Sequence, residues 1–529
     1  MGTRSLLIAL VFTTAIAGAS PYVPLDDRAY RDIESLRARG HAVVPAATLR
    51  PYTAKHIAVG AYHLTLHPEL SDYEREMAGR LLARFERHLP DSLRTHPNTT
   101  KSYLVADVNP RLIAQMDQIR NDIPRTLRLP ATWRNQSDQI RSINTLTVDA
   151  SVSDNVSVQV RLEADTDGVQ DNDYNGRLKT YRLGMTGYLP STYVSWENEW
   201  AVVAFGRQPL IWGPGRHGST HLSENAPAID MLSLRVDAWK WFHFSWFTGE
   251  LSGVVDGMYF EGGRRYITGH RMAITPTHWL EIGAGEIAHT SKAGWGFSFW
   301  QSNPVGVLMV EEVNRGPGDS NILLSCDITV RPIHGVETYA EWTVDDYSLD
   351  KKVPHFLAWT VGGQWEAPLG WDRFGIGAEY SRVMRWTYNY YTDSPYQKHV
   401  NVRAVMGHFI GSDSDLLTVD ATWEARSGYR FTGITTLRRL GETRTATPFP
   451  VRTSGIPFGY HTEPFPSGTV ERTITSGMLA ESPPFYGAYV TVGAFIQSFD
   501  NFGNVVGASK TAYHVRFGLD WHIPVRFPG

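Results

Sequence analysis

From about residue 140 to the C-terminus, apolar and polar residues alternate singly along the chain. Val156, Val158, Val160, Leu162 and Ala164 are separated by Ser157, Gln159, Arg161 and Glu163. A strand built on this pattern has one greasy face and one strongly polar face. The split recurs with Val336, Ala340, Trp342 and Val344 against Glu337, Tyr339, Glu341 and Asp345. It returns with Leu417, Val419, Ala421 and Trp423 against Thr418, Asp420, Thr422 and Glu424. In the last such run Tyr513, Val515, Phe517, Leu519, Trp521 and Ile523 alternate with His514, Arg516, Asp520 and His522. A secreted β-sandwich would alternate too. Strands of about ten residues favour a transmembrane antiparallel barrel instead. So do aromatics gathered toward strand ends, at Tyr193, Trp196 and Trp200 and at Trp386, Tyr388, Tyr390 and Tyr391, where an interfacial girdle belongs. Residues 140–529 supply roughly 18 strands at about 21 residues per strand and connection. Connections are unequal: that at Glu197-Asn198 is tight, whereas 208–228, 287–319 and 439–484 are long and rich in Gly, Pro, Ser and Asn.

Residues 20–100 have a helical period instead. Asp26 or Asp27 can cap a helix carrying Tyr30, Ile33 and Leu36 on one face and ending at Gly40. Thr53-Ala54-Lys55-His56 after Pro51 suggests a second short helix. Ser71 and Glu74 form a capping-box signature ahead of Met77, Leu81, Phe85 and Leu89. The expected organisation is a signal peptide over 1–19, an N-terminal helical plug or periplasmic segment over 20–139, and the all-β barrel over 140–529. The signal rests on Arg4, the apolar run Ser5–Ala15 and the small-residue site Ala17-Gly18-Ala19. After it no run of about 18 apolar residues follows, so a membrane can be crossed only by strands.

Charge adds one exclusion. Lys+Arg number 50 against 54 Asp+Glu, net −4, which argues against nucleic acid as a partner. On a barrel strand, Phe242, Phe244 and Trp246 would face lipid, and Trp241, His243 and Ser245 the lumen. The single Cys326 excludes a disulfide framework and a cysteine zinc site, and reads as a small buried hydrophobe. Aromatics reach 12%, with 17 Trp and 24 Tyr, as membrane girdles and sugar-binding faces both require.

The densest motif is Gly206-Arg207-Gln208-Pro209, Trp212-Gly213-Pro214-Gly215-Arg216-His217-Gly218, then Leu222-Ser223-Glu224-Asn225-Ala226-Pro227. Gly and Pro fix a compact loop that presents Trp212, Arg216, His217, Glu224 and Asn225 in a defined arrangement. A stacking plane with guanidinium, carboxylate and amide groups suits saccharide hydroxyls. Equally, Arg207 and Arg216 can pair with lumenal carboxylates and organise the loop inside the barrel.

At this stretch the chain resembles the Wzi family of outer-membrane capsule assembly proteins. The resemblance extends to Tyr22-Val23-Pro24-Leu25-Asp26 leading into Leu36, Gly40 and Arg50-Pro51-Tyr52, to Tyr339-Ala340-Glu341-Trp342 before Asp345-Asp346, and to Gly407-His408-Phe409-Ile410-Gly411-Ser412-Asp413-Ser414-Asp415. It implies an 18-stranded outer-membrane barrel, a helical plug at its periplasmic end, and non-catalytic, lectin-like attachment of capsular or extracellular polysaccharide. The final strand, Arg516-x-Gly518-x-x-Trp521-x-Ile523, resembles the signal read by barrel insertion machinery. Outer-membrane lipid and that machinery are therefore expected partners, and no cofactor or metal is. Catalysis finds little support. The pairs Glu311-Glu312 and Asp345-Asp346 are adjacent, so on a strand each would face opposite sides. His217 and His221 lack a metalloprotease spacing, Ser219 and Ser223 lack a nucleophile elbow, and 411–415 lacks the rest of a calcium loop. A porin, a scaffold for an export machine and an outer-membrane hydrolase remain as rival readings.

Overall fold

The computed structural model describes residues 22–93, 103–117, 139–152, 155–166, 168, 184–255, 258–259, 263–293, 299–315, 320–347, 354–390, 395–449 and 465–527. The signal segment and Tyr391 lie outside them. Three helices come first: α1 Ala29–Ala38, α2 Ala54–Thr65 and α3 Asp72–Phe85. Asp27 accepts the Ala29 N–H at 2.8 Å at the start of α1. Gly40, at φ +91°, closes that helix by donating to the Arg37 carbonyl. Ser71 and Glu74 exchange hydrogen bonds at the start of α3, 3.2 Å and 2.8 Å long, completing the capping box. The apolar stripes meet in one core of Ile33, Leu36, Tyr52, Ile57, Met77 and Leu81.

The strands follow in chain order: β1 Tyr103–Asp117, β2 Gln139–Ser151, β3 Val156–Asp165, β4 Thr186–Glu197, β5 Ala201–Gln208 and β6 Ile229–Ala238. Next come β7 Phe242–Leu251, β8 Gly263–Thr277, β9 Leu280–Ala293, β10 Ser320–Ile333, β11 Val336–Asp346 and β12 Phe356–Glu366. The last six are β13 Phe374–Val383, β14 Ser414–Glu424, β15 Arg430–Leu440, β16 Glu471–Glu481, β17 Ala488–Asp500 and β18, which runs as Ser509–Trp521 and Ile523–Phe527. Each pairs antiparallel with its neighbours, and β18 returns to β1, so these 18 strands close a barrel. A fourth helix, α4 Leu308–Arg315, lies between β9 and β10. Among the described residues no helix is long and apolar enough to cross a membrane.

The barrel takes its first strand from Tyr103–Asp117, ahead of the boundary expected at residue 140. Leu104, Val108 and Leu112 point outward, and Val105, Asn109 and Ile113 are buried inward. Register with β18 is continuous across its interruption, from Val108↔Ile523 to Arg111↔Asp520. The ladder lapses beside Pro110, which has no N–H to donate.

Alternation along the wall holds as the pattern requires. Trp342, Val361, Val419, Ile496 and Phe517 are exposed outward, whereas Glu337, Glu341, Thr418, Asp420 and Arg516 are buried inward. Phe242, Phe244 and Trp246 share the outward side of β7, and His243 and Ser245 are buried on the other. Trp241 departs from the expectation of a lumenal position: it sits exposed in the turn before β7, 5.9 Å from Trp239. Cys326 also departs, being exposed on the outward side of β10 rather than buried.

Tight connections at 152–155, 198–200, 239–241, 278–279, 334–335, 367–373, 425–429 and 482–487 share one end of the barrel, the turn end. Longer ones, including 209–228, 384–413 and 441–470, share the other, the loop end. The helices fill the turn end and are clamped to the wall from several sides. Arg37 pairs with Glu337, Arg80 with Glu424, Asp26 with Arg161, and Arg28 and Arg31 with Glu481. Thr48 donates to Glu281 at 2.7 Å.

Candidate functional site

The 209–228 segment leaves β5 and folds into the lumen, where it is held at three heights. At the bottom, Leu49–Arg50 pairs with Ile211–Trp212 as a two-stranded ribbon, and Arg50 donates to the carbonyls of Gly213 and Gly215 at 3.2 and 3.0 Å. Trp212 is 1% exposed and packs on Phe247 at 5.1 Å, within an apolar cluster that includes Leu49, Leu222, Ile267 and Ile287. Its ring faces are covered, so it organises the loop and offers no stacking plane to a sugar. Gly213 has φ +131°, and a Cβ there would stand 2.7 Å from the Glu341 carboxylate. Pro214 and Gly215 are buried in the bend that follows, and Gly206 of β5 lies over Tyr193 of β4.

Charge holds the middle. Arg216 meets both Asp420 oxygens at 3.1 and 3.2 Å and donates its backbone N–H to Glu379 at 2.8 Å. His217 Nε2 is 3.0 Å from the same Asp420. Ser219 donates to Glu341 at 2.6 Å, and Thr220 N–H donates to the same carboxylate. These carboxylates come from β11, β13 and β14, whose polar face the alternation places inward. A guanidinium shielded from water needs such a partner.

At the top a second in-turned loop, 384–413, closes over the first. Ser223 donates to the Gly407 carbonyl at 2.6 Å, and Asn225 to the Val405 carbonyl at 2.9 Å. Glu224 is half-buried beside them. Tyr388 donates to the Thr220 carbonyl at 2.6 Å and accepts from His408 N–H at 3.1 Å. Its ring lies against Gly407, where a Cβ would come within 2.4 Å of it. His408 is fully buried, its Nε2 4.0 Å from Glu379. Arg265, 1% exposed on β8, donates to four carbonyls, those of Ser252, Tyr396, Lys398 and Val400.

Trp386, Tyr388 and Tyr390, expected in an interfacial girdle, are buried inside this loop instead. Strand β13 ends at Val383 and Tyr388 has φ +72°, so the alternation that would aim them at lipid has already stopped. Tyr193 is likewise inward, accepting the Tyr22 N–H at 2.8 Å. Trp196 and Trp200 are exposed as a girdle requires. Asp413 and Asp415 also separate. Asp413 ties the loops together, accepting from Ser467 N–H at 2.9 Å and Thr443 N–H at 3.1 Å. Asp415 points to the outer wall, where it accepts from Arg439 at 3.0 Å and Tyr380 at 2.7 Å.

Between the two loops lie neutral histidines. Burial pushes the His399 imidazole down to about 3, and burial with neighbouring His399 and Arg271 holds His221 well below its ordinary value. His399 Nδ1 is 2.6 Å from His289 Nε2, and its Nε2 is 2.8 Å from the His221 carbonyl. The unfolded chain protonates these groups near pH 6.5, while the folded one keeps them neutral to much lower pH. Stability is therefore intact above about pH 6.5 and falls as pH drops below it. The melting temperature in detergent is expected to be lower at about pH 5 than at about pH 7.5, with a smaller difference in His399→Gln. An unchanged melting temperature would contradict this placement.

A cleft opens at the loop end. Strand β5 stops at Gln208, and its ladder with β4 begins only at Thr192↔Arg207, so the β4–β5 ladder does not extend to the first residues of β4 and leaves a notch in the wall. The notch is part of a cleft of about 930 Å³ lined by Glu163, Tyr188, Arg207, Asp230, Glu250 and Asn401. Arg207 pairs with Asp230 through Nε at 2.9 Å. Tyr188 accepts the Ala228 N–H at 2.9 Å. Of these six, only Arg207 stands out in sequence; the others lie on four separate strands and, for Asn401, in the 384–413 loop, and carry no local motif. Among the described residues no cluster of His, Cys, Asp and Glu is arranged to hold a metal ion.

Comparison with known proteins gives the wider setting. No curated protein matches the sequence. The fold is similar to that of Wzi from Escherichia coli, an outer-membrane protein involved in group 1 capsule assembly and described as a carbohydrate-binding β-barrel. The two share 14% identity over 95% of this chain and 99% of that one, with a TM-score of 0.65. Barrels further off include OprD (8% identity, 80% of this chain, 94% of that, TM-score 0.43) and OccD3 (8%, 83% and 98%, 0.44), both from Pseudomonas aeruginosa. The family model of the capsule assembly protein Wzi matches residues 134–481, well over half the chain and the whole of both in-turned loops. The chain belongs to the Wzi family of capsule assembly proteins, as an outer-membrane β-barrel.

Proposed function

We propose that this protein holds capsular or extracellular polysaccharide at the cell surface through its loop end, without catalysis. The observation that carries the reading is a lumen filled at two levels, by helices and by in-turned loops, with a cleft of planar polar groups open in the wall beside those loops at the loop end. The guanidinium–carboxylate pair Arg207–Asp230, the carboxylates Glu163 and Glu250, the Asn401 amide and the Tyr188 ring supply the donors, acceptors and platform that sugar hydroxyls and ring faces use. The Wzi likeness supports the same partner, since Wzi from Escherichia coli is described as a carbohydrate-binding barrel. Trp212, Arg216, His217 and Asn225 serve by holding the loops beside the cleft. Weak single sites repeated along one polymer give avidity without tight individual binding. Outer-membrane lipid around the wall and insertion machinery reading β18 complete the proposed partners.

Retention of the host's own surface polysaccharide on immobilised full-length protein tests the reading. Saturable retention is expected, weakened roughly tenfold by Tyr188→Ala and by Arg207→Ala. Absence of saturable retention by the unaltered protein would sink it.

A further inference from the structure

The 294–319 connection behaves unlike the two loops that enter the lumen. Its described part, 299–315, lies on the outside of the wall. Leu308, fully buried at the start of α4, packs against Ala288 of β9 and Ile322 of β10. Both are outward positions, in phase with Ile282 and Ala284 on β9 and with Cys326 and Ile328 on β10. Leu308 N–H donates to Glu286 at 2.7 Å, and Ser302 lies 3.2 Å from Thr248 on the outward face of β7.

This segment covers a polar pair on the lipid-facing wall. His270 and Glu286 point outward on β8 and β9, 3.4 Å apart. Trp246, outward on β7 in register with His270, is nevertheless only 8% exposed. His270 stands seven residues from the Thr277 end of β8, or about 18 Å above the turn end for a tilted strand, within the upper part of a hydrophobic band about 25 Å tall. Above it the wall turns charged, with Arg264–Glu250 and Arg207–Asp230 also facing outward. The segment thus lies at the boundary between the apolar belt and the charged rim.

Its far side is apolar. Met309, Val310 and Val313 share one side of α4 and are 47%, 54% and 74% exposed. Val305, Val307 and Phe299 extend the patch, while Glu312 turns back to accept from Ser320 at 2.6 Å. An amphipathic helix at that height, continuous with a lipid-facing wall, has a matching occupant in acyl chains.

We propose that 299–315 is an interfacial foot: its inner side seals His270 and Glu286 from the membrane, and Met309, Val310 and Val313 seat among the acyl chains of the outer leaflet. The proposal is independent of polysaccharide binding.

The test places a fluorophore at Val313→Cys, at Val310→Cys and, for comparison, at Val506→Cys in the exposed 501–508 connection, each in full-length protein carrying Cys326→Ser. The proteins are reconstituted in dioleoylphosphatidylcholine vesicles containing a minor fraction of lipid with a nitroxide near the top of one acyl chain. Labels at 310 and 313 are expected to be quenched severalfold more by the nitroxide lipid, and severalfold less by aqueous iodide, than the label at 506. Equal iodide access at 313 and 506 with no nitroxide quenching would overturn the proposal, whether the patch is then bare or reserved for another protein. Heat-modifiable migration on gels checks that each labelled barrel is folded. Val313→Glu supplies a second readout: it is expected to raise iodide quenching of the label at 310, and no change would count against insertion.

Discussion

Full-length protein in a planar bilayer is expected to stay silent, and removing residues 22–93 alone is expected to admit only a small, unsteady current. An empty barrel of 18 strands leaves a water-filled channel. Here the lumen is closed twice. The helices block the turn end, and above them Arg216, His217, Ser219 and Thr220 span to carboxylates of β11, β13 and β14. The second loop lies over that layer through Tyr388 and Asn225. A large steady conductance is expected only when the helices are removed and residues 213–225 are also replaced by a short Gly-Ser linker. Porin-sized conductance from the unaltered protein would contradict the two-layer closure and revive the channel reading.

Glu337→Ala is expected to release the helices from the wall while leaving the barrel closed. The Glu337 carboxylate is fully buried and accepts from Arg37 Nε and Nη2 at 2.7 and 2.6 Å and from Arg331 Nε at 2.9 Å. Its removal strands guanidiniums away from water, a change that typically costs about 3–5 kcal/mol. Arg37→Met should cost less, because the buried Glu337 carboxylate keeps Arg331 as its partner and an apolar chain refills the space. Limited proteolysis reads the difference: cleavage within 22–93 should accelerate strongly in Glu337→Ala and modestly in Arg37→Met, with the strands still protected. Equal protection in both variants would show that Arg80–Glu424, Arg161–Asp26 and the Glu481 pairs hold the helices unaided.

The period-two pattern made the wall legible, because an inward polar face and an outward apolar face leave a direct trace in single residues. Capping made α3 legible for a similar reason, since Ser71 and Glu74 act within four residues of each other, whereas α1 is marked by Gly40 at its end and starts at Arg28 without a side-chain cap. What sequence could not convey was depth. Trp386, Tyr388 and Tyr390 have the composition of a girdle, and only the end of β13 at Val383 distinguishes a buried loop from an interfacial belt. Tyr103–Asp117 escaped notice because Pro110 interrupts its alternation and 21 residues separate it from β2. The motif around Trp212 was conspicuous in sequence, yet its partners Glu341, Glu379 and Asp420 lie more than a hundred residues away. The Arg216 pairing, weighed from sequence as one of two uses, is the one the lumen contains. The cleft was nearly invisible, since Arg207, Asp230, Glu250, Tyr188 and Asn401 come from separate elements.

The junction of β1 with β18 has a bearing on biogenesis. The helices precede β1 in the chain, and their anchors are distributed around the circumference, on β3, β9, β11, β14 and β16. Leu49–Arg50 is moreover stitched to Ile211–Trp212 in the interior. A finished cylinder offers no sideways entry for such a body. The N-terminal segment therefore reaches its seat either before the first and last strands join or along the axis through the turn end, and by either route its anchors on five strands brace the closed wall from within.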